Sequence, residues 1–185
     1  LTAKEFRQQR IHPLDYSAVI LNSKLGIEHY FRLCEEMRIT VPDTMHYYCN
    51  SEQVGLYLQK YIQYRKRKVF FPETGNRFED VLPAMHRRPH ETYLMVLSDI
   101  HTQEQINMFA ENNIEVTPAI MYRTVTTPWP KEQPFDYDMI ALFTPAGVKA
   151  LCENFPDWKQ GETLIAAFGE GTVRALEQAG YRVDI

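Results

Sequence analysis

The chain has 185 residues, of which 44% are hydrophobic and 24% charged, with a net charge of −4. That length holds one large domain or two small ones, and the composition is that of an ordinary globular protein. A mildly acidic chain offers no basic field for nucleic acid or an anionic membrane, and no apolar run approaches the ~20 residues a membrane helix needs. The three cysteines, Cys34, Cys49 and Cys152, are odd in number, far apart and without a CxxC pair. They read as free thiols in a reducing cytoplasm. The six histidines show no metal-ligand spacing, so no metal site is expected.

Residues 1–13 are polar, lack clear periodicity and read as a lead-in or linker segment, with a short helix at Ala3–Gln9. Val19–Leu21 is an apolar run ended by Asn22-Ser23, which predicts a buried strand and a turn. Leu25–Met37 then places Leu25, Ile27, Tyr30, Phe31, Leu33 and Cys34 on one broad helical face. His46–Cys49 predicts a second strand, and Asn50-Ser51 can cap a helix over Glu52–Ile62. The basic run Arg65–Lys68 reads as a solvated loop before a third strand at Val69–Phe71. A short helix is predicted over Phe78–Met85, a fourth strand over Tyr93–Leu97 ending in Ser98-Asp99, and a helix over Thr102–Asn112 with Asn112-Asn113 at its C-cap. Glu115–Tyr122 is a fifth strand whose Pro118 suits an edge. Repeated β-α pairs over residues 14–122 predict a continuous parallel-sheet α/β domain of flavodoxin-like size. Residues 123–134, rich in proline, read as a linker, with Trp129 and Trp158 as linker and surface-loop anchors. Residues 135–185 hold only two clear β-α pairs and the start of another strand, so the second α/β domain is expected to be completed by residues beyond both ends.

The chain repeats itself. Asp15–Tyr30 (DYSAVILNSKLGIEHY) overlays Asp136–Leu151 (DYDMIALFTPAGVKAL). Asp15-Tyr16 meets Asp136-Tyr137, Ser23 meets Thr144, and Gly26 meets Gly147. At nearly the same offset, Tyr47–Leu56 (YYCNSEQVGL) meets Ala166–Ala175 (AAFGEGTVRA). Two β-turn-α-β-turn-α units in one chain predict two similar α/β domains facing each other.

Ligands of open parallel sheets bind beyond the carboxyl ends of the strands. The residues expected there are Asn22-Ser23, Asn50-Ser51, Ser98-Asp99, Thr144–Gly147 and Gly169–Thr172. All five stretches offer small or hydroxylated residues at an expected helix start, where unpaired N–H groups and a partial positive charge favour carboxylates or phosphates. Simple helix capping explains any one of them; five together point to a small polycarboxylate. No GxSxG, HExxH, Walker loop or GxGxxG is present, so an enzyme built on this chain works by binding and shaping its substrate.

Phe143-Thr144-Pro145-Ala146-Gly147 resembles the F-[ST]-P-[SA]-G turn of uroporphyrinogen-III synthases. Gly169-Glu170-Gly171-Thr172 stands where that family carries G-P-T-T, and Met121–Val125 resembles its V-Y-x-T strand end. Val19–Ser23 resembles the first turn of its middle domain. The resemblance covers nearly the whole chain in order. It implies two flavodoxin-like α/β domains joined by a two-stranded linker, one domain continuous and the other assembled from both termini. It implies a cofactor-free, monomeric, cytoplasmic lyase. Hydroxymethylbilane, with eight carboxylates, loses its terminal hydroxyl, inverts its fourth ring through a spiro intermediate and closes as uroporphyrinogen III. By the same resemblance Tyr122 assists hydroxyl departure, and Asn22, Ser23, Asn50, Ser51, Ser98, Thr144, Ala146, Gly147, Gly169 and Thr172 bind substrate. The chain departs from the family at Glu170, Ala146 and Asn22. The alternative reading is a non-catalytic protein of the same fold that binds a small polycarboxylate; Asn22-Ser23, lacking an acidic pair, argues against a response-regulator-like domain.

Overall fold

A computed structural model describes residues 1–185, which divide into two compact units, Leu1–Arg123 and Thr124–Ile185. In the first unit α1 (Ala3–Arg7) leads to β1 (Ala18–Leu21), α2 (Lys24–Glu36), β2 (His46–Cys49), α3 (Glu52–Tyr57), β3 (Val69–Phe70), α4 (Leu82–His86), β4 (Tyr93–Ser98), α5 (Glu104–Glu111) and β5 (Val116–Tyr122). The five strands are all parallel, in the order β3-β2-β1-β4-β5. The α/β layering is the expected one, but this order differs from the 2-1-3-4-5 of flavodoxin. The chain steps outward from β1 through β2 to β3, then returns to the other side of β1 for β4 and β5. The direction therefore reverses between β1 and β4.

Strand periodicity builds two cores on the two faces of this sheet. Val19 and Leu21 pack with Ile27, Tyr30, Leu33 and Val96 on one face. Ala18 and Ile20 pack with Phe78, Met95 and Phe109 on the other. All four residues of β1 are fully buried, as a central parallel strand requires. The first residues are not a loose lead-in. Thr2 and Glu5 form a reciprocal capping box on α1, and Phe6 is fully buried in the first core. Gln9 pairs with the exposed edge of β5, its amide donating to Ile120 O at 2.7 Å and its oxygen accepting from Ile120 N at 2.9 Å. A side-chain amide thus imitates a strand and covers the edge that Pro118 helps to define.

Local differences from the sequence reading have packing causes. The expected helix over Glu52–Ile62 is α-helical only to Tyr57 and tightens into a 3-10 turn at Leu58–Lys60. Gly55 inside it is needed because the Phe71 ring lies where a side chain would start, 2.4 Å from an added Cβ. The basic run is not wholly solvated, since Lys68 is buried and donates to Asp43 O at 2.8 Å. Asn113, at φ 60°, supplies the left-handed residue just beyond α5.

The second unit contains β6 (Met139–Leu142), α6 (Pro145–Asn154), β7 (Leu164–Ala167) and α7 (Glu170–Gln178). β6 and β7 pair in parallel, and the last residues run along β7, with Asp184 N donating to Ile165 O and Ala167 N to Ile185 O. Its core is small, centred on Val148, Ile165 and Leu176. An aromatic cluster supplements it. Phe135 and Phe155 stack with centroids 4.0 Å apart, Trp129 meets both edge-on, and Trp158 joins Phe135 to Tyr181. Trp129 N also donates to Asn154 Oδ1 at 2.7 Å. Much of the proline-rich stretch read as a linker is therefore packed on this unit, and no strand forms within it. No helix of the chain is long and apolar enough to cross a membrane.

Candidate functional site

In an open parallel sheet, the strand order reverses at the crevice where ligands bind, and here that place is between β1 and β4, whose following helices leave on opposite faces. Four of the sequence-predicted residues meet there. Ser23 caps α2, its hydroxyl accepting from Gly26 N at 2.9 Å. Tyr122 ends β5, and its hydroxyl lies 3.3 Å from Ser23 Oγ, hydrogen-bonded across 99 residues of sequence. Ser98 is the register partner of Tyr122 at the end of β4. Asn22 donates from Nδ2 to Gln105 Oε1 on α5 at 3.4 Å, bridging the crevice.

Close packing accounts for Gly26 at the third helical position of α2. A Cβ there would sit 3.3 Å from Ser23 Oγ and 3.5 Å from the Val96 side chain. The same Ser/Thr-x-x-Gly sequence builds the second unit's turn. Thr144 caps α6 and accepts from Gly147 N at 3.2 Å, with Pro145 at the first helical position. Ala146 and Gly147 are half-buried beside it. Gly171 lies near Pro145, a Cβ added to it reaching Pro145 Cγ at 3.7 Å, so the turns before α6 and α7 adjoin. Phe143 and Phe168 end the two strands and stack at 4.6 Å. Both are exposed, at 65% and 56%.

Three of the five predicted turns are thus hydroxyl-capped helix starts; the third is Ser51, which accepts from Val54 N at 3.3 Å on the short α3. The other two are not. Ser98-Asp99 does not stand directly before a helix. The register shifts at Leu97/Ser98, Ser98 Oγ donates to Ile100 O at 2.6 Å, and α5 begins only at Glu104 with no side-chain cap. Gly169 precedes α7 at φ 86° and ψ 144°, a conformation that suits glycine, and caps nothing with a side chain. Thr172 is 2% exposed, so its side chain packs inward rather than towards solvent. Asn22, Asn50 and Ser51 also line an open depression of about 690 Å³ with Pro72 and Gly75. The side-chain oxygen of Asn50 is buried there without a hydrogen-bond partner.

Sequence reasoning missed two residues of the crevice, Gln105 and His29. The His29 imidazole stacks on the Tyr122 ring, with centroids 4.9 Å apart and planes 16° from parallel. Nothing local marks either residue; only the sheet order brings them to the ends of β1 and β5. The arrangement offers neutral hydroxyls, amides and helix N–H groups, which suits anionic groups and donation of a single proton.

Known proteins agree with this architecture. A family model described as uroporphyrinogen-III synthase HemD matches residues 2–185. The structure is similar to that of uroporphyrinogen-III synthetase from Helicobacter pylori, with a TM-score of 0.67 and 16% identity over 94% of this chain and 78% of that one. It is also similar to a mutant uroporphyrinogen III synthase from the extremely thermophilic bacterium Thermus thermophilus, with a TM-score of 0.60 and 15% identity over 99% of this chain and 77% of that one. No curated protein sequence matches the chain. The match over residues 2–185 shows that the chain belongs to the uroporphyrinogen-III synthase family, the cyclising lyases of tetrapyrrole biosynthesis.

Proposed function

We propose that Tyr122 is the proton donor of the synthase reaction, and that the turns at the carboxyl ends of the strands hold the substrate carboxylates. The observation that carries this is the Tyr122–Ser23 hydrogen bond at the point where the sheet order reverses. The substrate of the family is hydroxymethylbilane. A phenol can donate a proton without first carrying a charge. The pyrrole nitrogen lone pair expels the terminal hydroxyl, the C–O bond breaks, and the phenol proton leaves with that oxygen as water. The proton is restored when the pyrrole carbon that forms the closing bond loses its own. Since the bilane also closes unaided to the type I isomer, the enzyme works by positioning.

In this reading Ser23, Asn22, Asn50, Ser51 and Ser98 serve the first unit, and Thr144, Ala146, Gly147, Gly169 and Thr172 the second. Thr172 acts there by anchoring the first turn of α7. Each unit is a variant of the flavodoxin-like layering, residues 14–122 forming the continuous one. The protein acts as a cytoplasmic monomer, without cofactor or nucleic acid, and the free thiols of Cys34, Cys49 and Cys152 suit a reducing compartment.

The test is to generate hydroxymethylbilane in situ, add the protein, oxidise the products and separate the uroporphyrin isomers. Mostly type III is expected, and Tyr122→Phe should lower kcat on the order of 10²-fold. A Tyr122→Phe variant with the parent's kcat would remove Tyr122 from the chemistry. Binding without isomer selection would favour the non-catalytic polycarboxylate reading.

A further inference from the structure

Tyr122 is held at two places, and only one of them is a turn hydroxyl. Ser23 fixes the phenol oxygen at 3.3 Å. The other restraint is the imidazole of His29, lying nearly flat on the ring. His29 is itself fixed. Arg32 donates from Nε to His29 Nδ1 at 3.1 Å. The Arg32 guanidinium is tied in turn to Glu36 Oε1 at 2.8 Å and to Leu1 O at 2.9 Å. An acceptor role for Nδ1 leaves the ring proton on Nε2. Burial, and then the positive charge of Arg32, push the His29 pKa below its ordinary value, with Glu28 opposing, so the stacked ring is neutral at neutral pH.

The two restraints do different things. Rotation of a tyrosine ring about its own long axis is soft, and it leaves the phenol oxygen in place. It does turn the hydroxyl hydrogen, which conjugation keeps near the ring plane. Ser23 therefore sets where the oxygen is, while the stack sets where the proton points. We propose that His29, through the flat face it lays on the ring, is a positioning residue that fixes the plane of the Tyr122 ring and with it the direction in which the hydroxyl donates. The inference rests on the reading of Tyr122 as donor and adds the group that aims it.

His29→Ala and His29→Phe separate this role from a general contribution to folding. Phenylalanine keeps a flat partner for the ring but cannot titrate or accept from Arg32. His29→Ala should lower kcat for type III formation about three- to tenfold with KM unchanged, and His29→Phe should recover most of the loss. A second readout does not depend on activity. With 3-fluorotyrosine placed at position 122, the fluorine resonance should shift and broaden in His29→Ala and remain sharp in His29→Phe. Wild-type kcat in His29→Ala with an unmoved fluorine signal would overturn the proposal. So would a kcat loss that His29→Phe fails to recover although the fluorine signal stays sharp. Failure of the underlying reading looks different, because Tyr122→Phe would then keep full activity whatever His29 does.

Discussion

The turn after β1 and the turn after β6 are built from the same local code, yet they sit in very different surroundings. In both, a hydroxyl caps a helix and accepts from the N–H of a glycine three residues on, at 2.9 Å from Ser23 and 3.2 Å from Thr144. The first turn stands on a five-stranded sheet, and its hydroxyl also holds Tyr122. The second stands on a two-stranded sheet beside two exposed phenylalanines. The shared code caps a helix in each unit, and only at Ser23 is the capping hydroxyl also bonded to a tyrosine hydroxyl.

The largest contrast should come from the cores beneath the two turns. Leu21 and Leu142 are counterparts in the repeat, but Leu21 is fully buried whereas Leu142 is only partly so. Leu21→Ala should cost about 2–5 kcal/mol, and Leu142→Ala about 1 kcal/mol. Both tryptophans, Trp129 and Trp158, lie in the second unit. Tryptophan fluorescence therefore follows that unit in urea, while far-UV circular dichroism follows both. Equal losses for the two variants would mean that the small core is stabilised by contacts beyond its own side chains.

Next in size is the backbone of the second pair of turns. Gly169 and its counterpart Asn50 precede α7 and α3, but only Gly169 has positive φ. Gly169→Ala should cost about 1–3 kcal/mol through backbone strain. Asn50→Ala should lie within about 0.5 kcal/mol of the parent, since it removes a side-chain oxygen that is buried without a partner. Thermal unfolding checks both, and a costly Asn50→Ala would reveal a partner for that oxygen in solution.

The caps come third. Ser23→Ala and Thr144→Ala should each cost about 1 kcal/mol of stability. Their effects on catalysis should differ in kind. Ser23→Ala also frees the Tyr122 hydroxyl and should lower kcat, whereas Thr144→Ala should chiefly raise KM. Steady-state kinetics on the two variants would collapse the comparison if both changed the same parameter.

These contrasts also show what could be read from the sequence. The Ser23/Gly26 and Thr144/Gly147 turns were legible because a cap and a close-packed glycine are local demands, written within four residues. The five strands of the first unit were legible from apolar runs such as Val19–Leu21. Ser98 does not cap α5 because residues 99–103 lie between them, and its hydroxyl donates to Ile100 O instead. The need for glycine at position 55 comes from the Phe71 ring, which approaches from a distant part of the chain. The His29–Tyr122 stack and the Asn22–Gln105 bridge depend on which strands neighbour β1, and that order is set by the whole sheet rather than by any stretch.

The smallest expected effect compares how each unit ties down an outer segment with a carboxylate. In the first unit the Thr2 backbone amide and then the Arg123 guanidinium, 2.8 Å away, hold the Glu5 pKa down from 4.5 to about 2. In the second, Arg182 and then the Ile165 amide lower that of Asp184. A depressed folded-state pKa means that the unfolded chain binds protons first as pH falls. The stabilisation from Glu5 is therefore fully present above pH 4.5 and fades as pH drops through about 2. Both carboxylates are solvent-accessible, so the effects are modest and salt-sensitive. Glu5→Gln should flatten the acid limb of stability followed by circular dichroism and leave tryptophan fluorescence unmoved. Asp184→Asn should flatten the limb followed by fluorescence, and with it the second unit's share of the circular dichroism. A fluorescence limb that Glu5→Gln flattened as well would mean that the two units unfold as one, and the comparison between them would then hold for chemistry but not for stability.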